Sequence, residues 1–268
     1  MSHRPFCTAI ILTVLVPLTA RGQAPQTHTS LDVKARGAKA FYVDRGAGNN
    51  QISVFSESTL EDFTIVCNEI AGKWQVDPGD VEAINGQFSL RVKDLKTGIE
   101  LRDHHLQSAD WLDADKHPEI VLKIIRAEDV KKVNKNSATM NLVGTCSLHG
   151  RTRDVRMPCT LAYLDESPET MRRAKGDLVR LRADFKIKLS DYGVFGPAGS
   201  DFIGLKVANE LPIKVTVFGS TQPPPEPLKP DTGGPASRPA GGATSRPAGQ
   251  PSTMPSILQP PTRSGPER

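Results

Sequence analysis

The sequence predicts an all-β fold: an extended, closed antiparallel barrel of about eight strands, with one or two short helices. Apolar and polar residues alternate with a period of two along most of residues 39–220. Successive side chains of a strand point to opposite faces, so this pattern indicates a sheet with one apolar face. Many long, twisted strands of this kind tend to close on themselves. A two-sheet sandwich has the same alternation and stays open as an alternative.

The two ends of the chain differ in composition from the middle. Residues 1–22 have a short basic start and then an apolar run, FCTAIILTVLVPLTA, which predicts a signal peptide followed by a linker over 23–38. The run is shorter than the ~20 residues of a membrane span, so export is expected without a stable span. Residues 221–268 contain thirteen prolines and repeat SRPAG, which predicts a disordered tail serving as a spacer or an envelope tether.

The middle of the chain is electrically neutral. The whole chain carries +4, but residues 23–220 have equal numbers of basic and acidic residues. A nucleic-acid-binding domain concentrates positive charge on its folded part, so no nucleic-acid partner is predicted. Three cysteines remain beyond the leader, without a C-x-x-C pair. Cys146 and Cys159 are expected to face inward on one hairpin, where a disulfide is conceivable.

The alternation assigns the individual strands and their inner faces. Two segments, 99–112 and 168–174, are predicted as short helices. The predicted strands are 40–44, 51–57, 63–76 (interrupted near Cys67), 86–92, 120–127, 138–148, 155–163, 179–189 and 211–217. The side chains predicted to line the lumen are Phe88, Leu90, Val92, Leu122, Met140, Leu142, Met157, Leu161, Phe185, Ile187 and Val215. A solid core is the alternative; Gly86 and Gly144 in the inward phase favour empty space, as do the adaptable methionines.

The segment LRDHHLQSADWLDADKHPEI, residues 101–120, concentrates histidines and aspartates. It has no H-x-x-x-H spacing, and the chain has no nucleophile, phosphate-loop or dinucleotide motif, so neither enzyme activity, nor a metal, nor a cofactor is predicted. A site built from His105, His117 and His149 is conceivable only through the fold. The segment is interpreted as a helix and polar network that close one barrel mouth. The polar rim residues are predicted to be Arg102, Asp103, His105, His149, Asp191 and Tyr192.

Three segments resemble the signature segments of the YceI-like family: GIELRDHHLQSADWLDADKHPEI, LVGTCSLHGRTRDVRMP and FKIKLSDYGV. The resemblance extends over residues 39–219. The matching positions are Arg102, Asp103, His105, Leu106, Leu112, Asp113 and Pro118, then Gly144, Leu148, His149, Gly150, Thr152 and Val155, then Asp191, Tyr192 and Gly193. The chain departs from the family pattern at His117, where a tyrosine is usual, at the Trp-x-Ile-Asp-x-x-His-Ser opening, which is absent, and in its tail.

The resemblance implies a lipocalin-like barrel that binds a polyisoprenoid, a prenyl quinone or another long amphiphilic lipid in its lumen. It implies no catalysis, and a role as a periplasmic or secreted carrier, store or stress-related sensor. Two rival functions stay open. One is an envelope interaction or scaffold module with a filled core. The other is a hydrolase or metalloprotein that uses Arg102, Asp103, His105 and His149. A homodimer also stays open.

Overall fold

A computed structural model describes residues 28–198 and 202–224 of the chain. These residues belong to one compact unit, Met1–Pro225. The predicted signal peptide, residues 1–22, lies outside the described residues, as do 23–27 of the predicted linker and 225–268 of the predicted tail.

Within residues 28–198 and 202–224, ten strands form one antiparallel sheet, joined by short helical segments. The strands are β1 (Lys39–Val43), β2 (Gln51–Glu57), β3 (Asp62–Cys67), β4 (Ala71–Asp77), β5 (Asp80–Arg91), β6 (Glu119–Asn134), β7 (Ser137–Leu148), β8 (Arg151–Leu164), β9 (Leu178–Lys188) and β10 (Glu210–Ser220). The helices are α1 (Glu100–Gln107) and the kinked α2 (Phe202–Leu205), with 3₁₀ turns at Val92–Asp94, Thr170–Arg172 and Leu189–Tyr192. The predicted helix over 99–112 is therefore shorter than expected, and 168–174 forms only a 3₁₀ turn.

The sheet closes through β10, which pairs with two strands along one of its edges. Gly219 lies opposite Val43 of β1, and Val215 lies opposite Ile52 of β2. Because β3 pairs with β2 and β4 pairs with β1, these four strands occupy two positions of the barrel. The ten strands thus fill eight positions of a closed antiparallel barrel. The predicted barrel is confirmed, and the sandwich alternative is wrong.

One end of the barrel is filled by aromatic side chains. The ring of Phe41 stacks on Trp74 at 5.9 Å between centroids and meets the edge of Tyr163 at 5.6 Å. All three side chains are buried. Residues 28–38 cross this end, where the amide of Leu31 donates to the carbonyl of Pro78, and Leu31 and Val33 are buried in the core. Residues 28–38, which were predicted as a linker, are therefore packed against the barrel. Their apolar side chains cover its aromatic end.

The register of β7 and β8 separates the two cysteines that were expected to pair. Cys146 lies opposite Arg153, and Cys159 lies opposite Met140. The two cysteines are thus offset by six residues along the hairpin, roughly 20 Å at the rise of a strand. Both are free thiols. Both are buried, as expected, but the predicted disulfide is wrong because the register exceeds the reach of a disulfide.

The two glycines expected to leave empty space instead allow close packing. A β-carbon at Gly86 would lie 2.3 Å from Cβ of Trp74. A β-carbon at Gly144 would lie 1.9 Å from the carbonyl oxygen of Lys123, next to an irregularity between β6 and β7. Neighbouring atoms already occupy the space at both positions, so these glycines do not create empty space inside the barrel.

Candidate functional site: an apolar cavity inside the barrel

A cavity of about 660 Å³ lies inside the barrel. Its volume is in the range of ligand sites in proteins, roughly 300–1,000 Å³. Its walls are almost entirely apolar side chains from the inner face of the sheet. The exposed side chains of Ile99 and Leu101 also line it, so it opens to solvent beside α1. A solid core is therefore wrong for this part of the barrel.

Most of the side chains predicted to face the lumen line this cavity. Their contact with a ligand stays a prediction. The eight that line the cavity are Phe88, Leu90, Leu122, Leu142, Met157, Phe185, Ile187 and Val215. They come from β5 to β10, because the period of two places one residue in two on the inner face of each strand.

Three predicted lumen residues lie in packed core away from the cavity. Met140 and Leu161 are buried in the core cluster that also contains Phe41 and Tyr163, and neither lines the cavity. Val92 begins a 3₁₀ turn after β5, where the alternation of the strand ends, and it is 1% exposed. Alternation predicts that these side chains point inward. Whether an inward side chain lines the cavity depends on its position along the barrel axis.

Several residues of the cavity wall and mouth were not predicted from the sequence. Ile52, Val54, Phe63 and Ile65 of the β2–β3 hairpin line the cavity, and so do Trp111, Phe202 and Lys206 at the mouth. The hairpin residues alternate in the predicted strands and could have been included. The mouth residues lie in irregular segments without a period, so no sequence pattern marks them.

Arg102 and His105 of α1 line the mouth of the cavity; their role as rim residues in ligand binding stays a prediction. The guanidinium of Arg102 lies 4.5 Å from the ring centroid of Phe63 and pairs with the carboxylate of Glu61. Its side chain is only 23% exposed. The cation is thus held at the boundary between apolar wall and solvent. The side chain of Lys206 also lines the cavity.

Asp103 does not line the cavity and instead anchors α1. Its carboxylate accepts hydrogen bonds of 2.7 Å from both the amide and the hydroxyl of Thr97, and Lys96 lies 3.8 Å away. Burial alone would raise the pKa of Asp103, but these hydrogen bonds outweigh it and the pKa is lowered. Asp103 therefore fixes the helix that carries Arg102.

The other predicted rim residues, His149, Asp191 and Tyr192, lie behind the cavity wall. His149 Nδ1 is 3.2 Å from the carbonyl oxygen of Tyr192, and the carbonyl of Asp191 accepts from Arg153 Nε. Tyr192 is 2% exposed, and burial raises the pKa of its hydroxyl. These contacts join the β7–β8 turn to the 3₁₀ turn after β9, and none of the three residues lines the cavity. Their polar groups are used in joining two connections.

Two groups of described side chains have ligand atoms close enough for a metal ion: Asp113 with His117 and His149, and His28 with Asp80 and Glu82. The first group lies partly buried, and a hydrogen bond from Lys116 lowers the pKa of Asp113. The second is more exposed, and His28 Nδ1 already contacts Asp80 at 3.0 Å.

The cysteine thiols near the cavity are not activated. Burial raises the pKa of Cys146, and it raises the pKa of Cys159 to about 12. Both side chains line the cavity. Since the thiolate is the nucleophilic form, these cysteines act as apolar wall.

The comparisons with known proteins agree with this architecture. The model of the YceI-like domain matches residues 26–218, and the chain belongs to this family. A UPF0312 protein of Pseudomonas putida strain W619 is 28% identical over 72% of this chain and 90% of its own. A UPF0312 protein of Vibrio cholerae is 21% identical over 52% of this chain and 69% of its own.

Among solved structures, Burkholderia cenocepacia BcnA is similar over 66% of this chain and 98% of its own, at 19% identity and a TM-score of 0.52. At this identity the likeness concerns the fold. A polyisoprenoid binding domain from Saccharophagus degradans is similar over 68% of this chain, at 12% identity and a TM-score of 0.49. In the described part of the chain, neither helix is long and apolar enough to cross a membrane.

Proposed function

We propose that the protein binds one long amphiphilic lipid, of the polyisoprenoid or prenyl-quinone type, without catalysis. The observation that carries this proposal is the apolar cavity of about 660 Å³, closed by an aromatic cluster at one end and open beside α1 at the other. A site of this form suits a narrow apolar chain inserted end first, with its polar head left at the mouth.

The energetics of burial favour such a ligand. Each buried CH₂ group contributes about 0.8 kcal/mol, so ten of them contribute about 8 kcal/mol before the cost of immobilising the chain. The walls carry few polar groups, so an isoprenoid chain would leave few of them without hydrogen bonds. A charged or sugar-like ligand would lose its hydration there without compensation.

The mouth offers partners for a polar head. Arg102, His105 and Lys206 line it, and Glu61 neutralises part of their charge. Exposed Ile99 and Leu101 would contact the portion of the lipid chain that emerges from the barrel. This combination suits an amphiphile more than a wholly apolar hydrocarbon.

We further propose that the protein acts after export, as a periplasmic or secreted carrier or store. The signal-peptide pattern of residues 1–22 supports this location. Cell fractionation with an antibody against the barrel would test it; recovery of a full-length chain from the cytoplasm alone would contradict it.

The lipid proposal is tested by native mass spectrometry of the protein purified from a bacterial envelope, followed by organic extraction. We expect one bound lipid per chain. Leu142→Trp fills the cavity from β7 and should lower lipid occupancy at least about tenfold. Thr139→Trp, on the exposed face of the same strand, is the matched control and should keep the lipid. A wild-type protein that arrives empty and takes up no added prenyl lipid would contradict the proposal.

A further inference from the structure

We propose that Asp113, His117 and His149 form a binding site for a zinc-type divalent metal ion behind the cavity wall. This site is separate from the lipid cavity and does not depend on it. One carboxylate oxygen and one ring nitrogen from each histidine lie within 4.8 Å of one another. Asp113 and His117 follow α1, and His149 lies in the β7–β8 turn, so the fold brings together residues more than thirty positions apart.

The contact of His149 with the backbone of Tyr192 favours metal binding. Its Nδ1 lies 3.2 Å from the carbonyl oxygen of Tyr192. A carbonyl oxygen can only accept a hydrogen bond, so this contact assigns the ring proton to Nδ1 and leaves the lone pair on Nε2. Metal-binding histidines commonly donate their other ring N–H to a carbonyl or carboxylate in this way.

The β7–β8 turn packs against the imidazole of His117. A β-carbon at Gly150 would lie 2.6 Å from Cε1 of His117, so only glycine allows the turn to approach that ring. The rings of His117 and His149 meet edge to face at 5.2 Å between centroids. In the described part of the chain, the ring of His117 has no hydrogen-bond partner, so its nitrogens are available to an ion.

The donor set selects the class of metal. Two imidazoles and one carboxylate suit zinc and its neighbours in the first transition row, whereas calcium takes six to eight oxygen ligands. Three protein ligands leave one position for water, and the histidines are half-buried rather than sealed. Lys116 Nζ bonds one oxygen of Asp113 at 2.8 Å, but its side chain is 73% exposed and can be displaced by an ion.

The test uses the untagged full chain, freed of metal by a chelator and titrated with zinc chloride by calorimetry. We expect one zinc ion per chain. His149→Asn and Asp113→Asn should each weaken zinc binding at least about tenfold, and asparagine tolerates the left-handed backbone of both positions, where φ is 50° and 46°. Lys116→Gln should tighten binding, because it removes the competing ammonium.

His28→Ala separates this site from the other group of ligand side chains and should leave zinc affinity unchanged. The melting temperature of each metal-free variant shows whether it folds. With folded variants, loss of the zinc-induced rise in melting temperature for His117→Gln and His149→Asn would support the site. No zinc binding by the wild type, equal binding by these variants, or loss of binding only in His28→Ala would overturn it. Lipid occupancy is measured on the same samples. It shows whether the lipid proposal holds independently of the zinc result.

Discussion

At the scale of single residues, Asp177 is the best-connected carboxylate at the aromatic end of the barrel. It accepts hydrogen bonds from Lys39 at 2.5 Å, from the hydroxyl of Tyr163 at 2.8 Å and from the amide of Glu166 at 2.8 Å. Burial alone would raise the pKa of Asp177, but these bonds outweigh it and the pKa is lowered. The carboxylate therefore stabilises the fold only while it is ionised.

Removing the hydroxyl of Tyr163 should weaken this network. We expect Tyr163→Phe to lower the free energy of unfolding by about 1–2 kcal/mol, because Asp177 loses one buried hydrogen bond. Urea unfolding followed by fluorescence measures it. Tyr42→Phe, in β1, is the control and should change the free energy by less than about 0.5 kcal/mol. Equal effects of the two variants would contradict a role for this hydrogen bond.

The lowered pKa of Asp177 also predicts a pH dependence of stability. A carboxylate with a depressed pKa in the folded state contributes stability above its unfolded pKa, about 3.9, and loses it as the pH falls through the folded value. Stability should therefore decrease from pH 5 toward pH 2. Asp177→Asn should show a shallower decrease over this window in urea unfolding. An identical slope for wild type and variant would show that other carboxylates control acid unfolding.

At the scale of elements, α1 is held by the carboxylate of Asp103 near its start and by the contacts of Arg102 with Glu61 and Phe63. Asp103 accepts two hydrogen bonds from Thr97, and α1 has no buried residues of its own. We expect Asp103→Ala to lower hydrogen-exchange protection across residues 97–107 about tenfold or more, since bonds to charged groups are worth about 1.5–3 kcal/mol. Glu100→Ala, exposed on the same helix, should leave protection unchanged. Unchanged protection in Asp103→Ala would show that packing holds α1.

The register of the β7–β8 hairpin predicts that Cys146 and Cys159 stay reduced. Cys146 and Cys159 are offset along it and cannot approach each other without breaking the register. Denaturation without reductant followed by alkylation should therefore modify Cys67, Cys146 and Cys159 in every molecule. Intact mass measures this directly. A population two mass units lighter that resists alkylation would contradict the observed register.

At the scale of the whole molecule, residues 28–38 and the barrel act as one unit. Leu31, Val33 and Ala35 are buried against the core, so a chain that begins at Lys39 exposes apolar surface on both sides of that contact. We expect this truncation to lower the free energy of unfolding by about 3–5 kcal/mol, given about 1.5–3 kcal/mol for each large aliphatic side chain. Removal of 225–268 is the comparison, and its proline-rich composition predicts no change. Equal stability of both truncated chains would contradict the packing role of 28–38.

The class of fold and the inward face of the strands could be predicted from local sequence pattern. Period-two alternation is a local property, so Phe88, Leu142 and Phe185 could be assigned to the interior before any pairing was known. The family resemblance rested on short motifs, and the match to the YceI-like domain confirms it. Of the polar α1 residues predicted at the mouth, Arg102 and His105 line it, whereas Asp103 bonds to Thr97.

The position of the empty space inside the barrel, and the polar groups that contact each other, depend on long-range packing. Met140 and Leu161 alternate like their neighbours and are buried, but other side chains pack against them and neither lines the cavity. The separation of Cys146 from Cys159 depends on hairpin register, which alternation does not specify. Asp113, His117 and His149 come together through two connections whose conformations are set by long-range packing, and local sequence carries no record of such a contact.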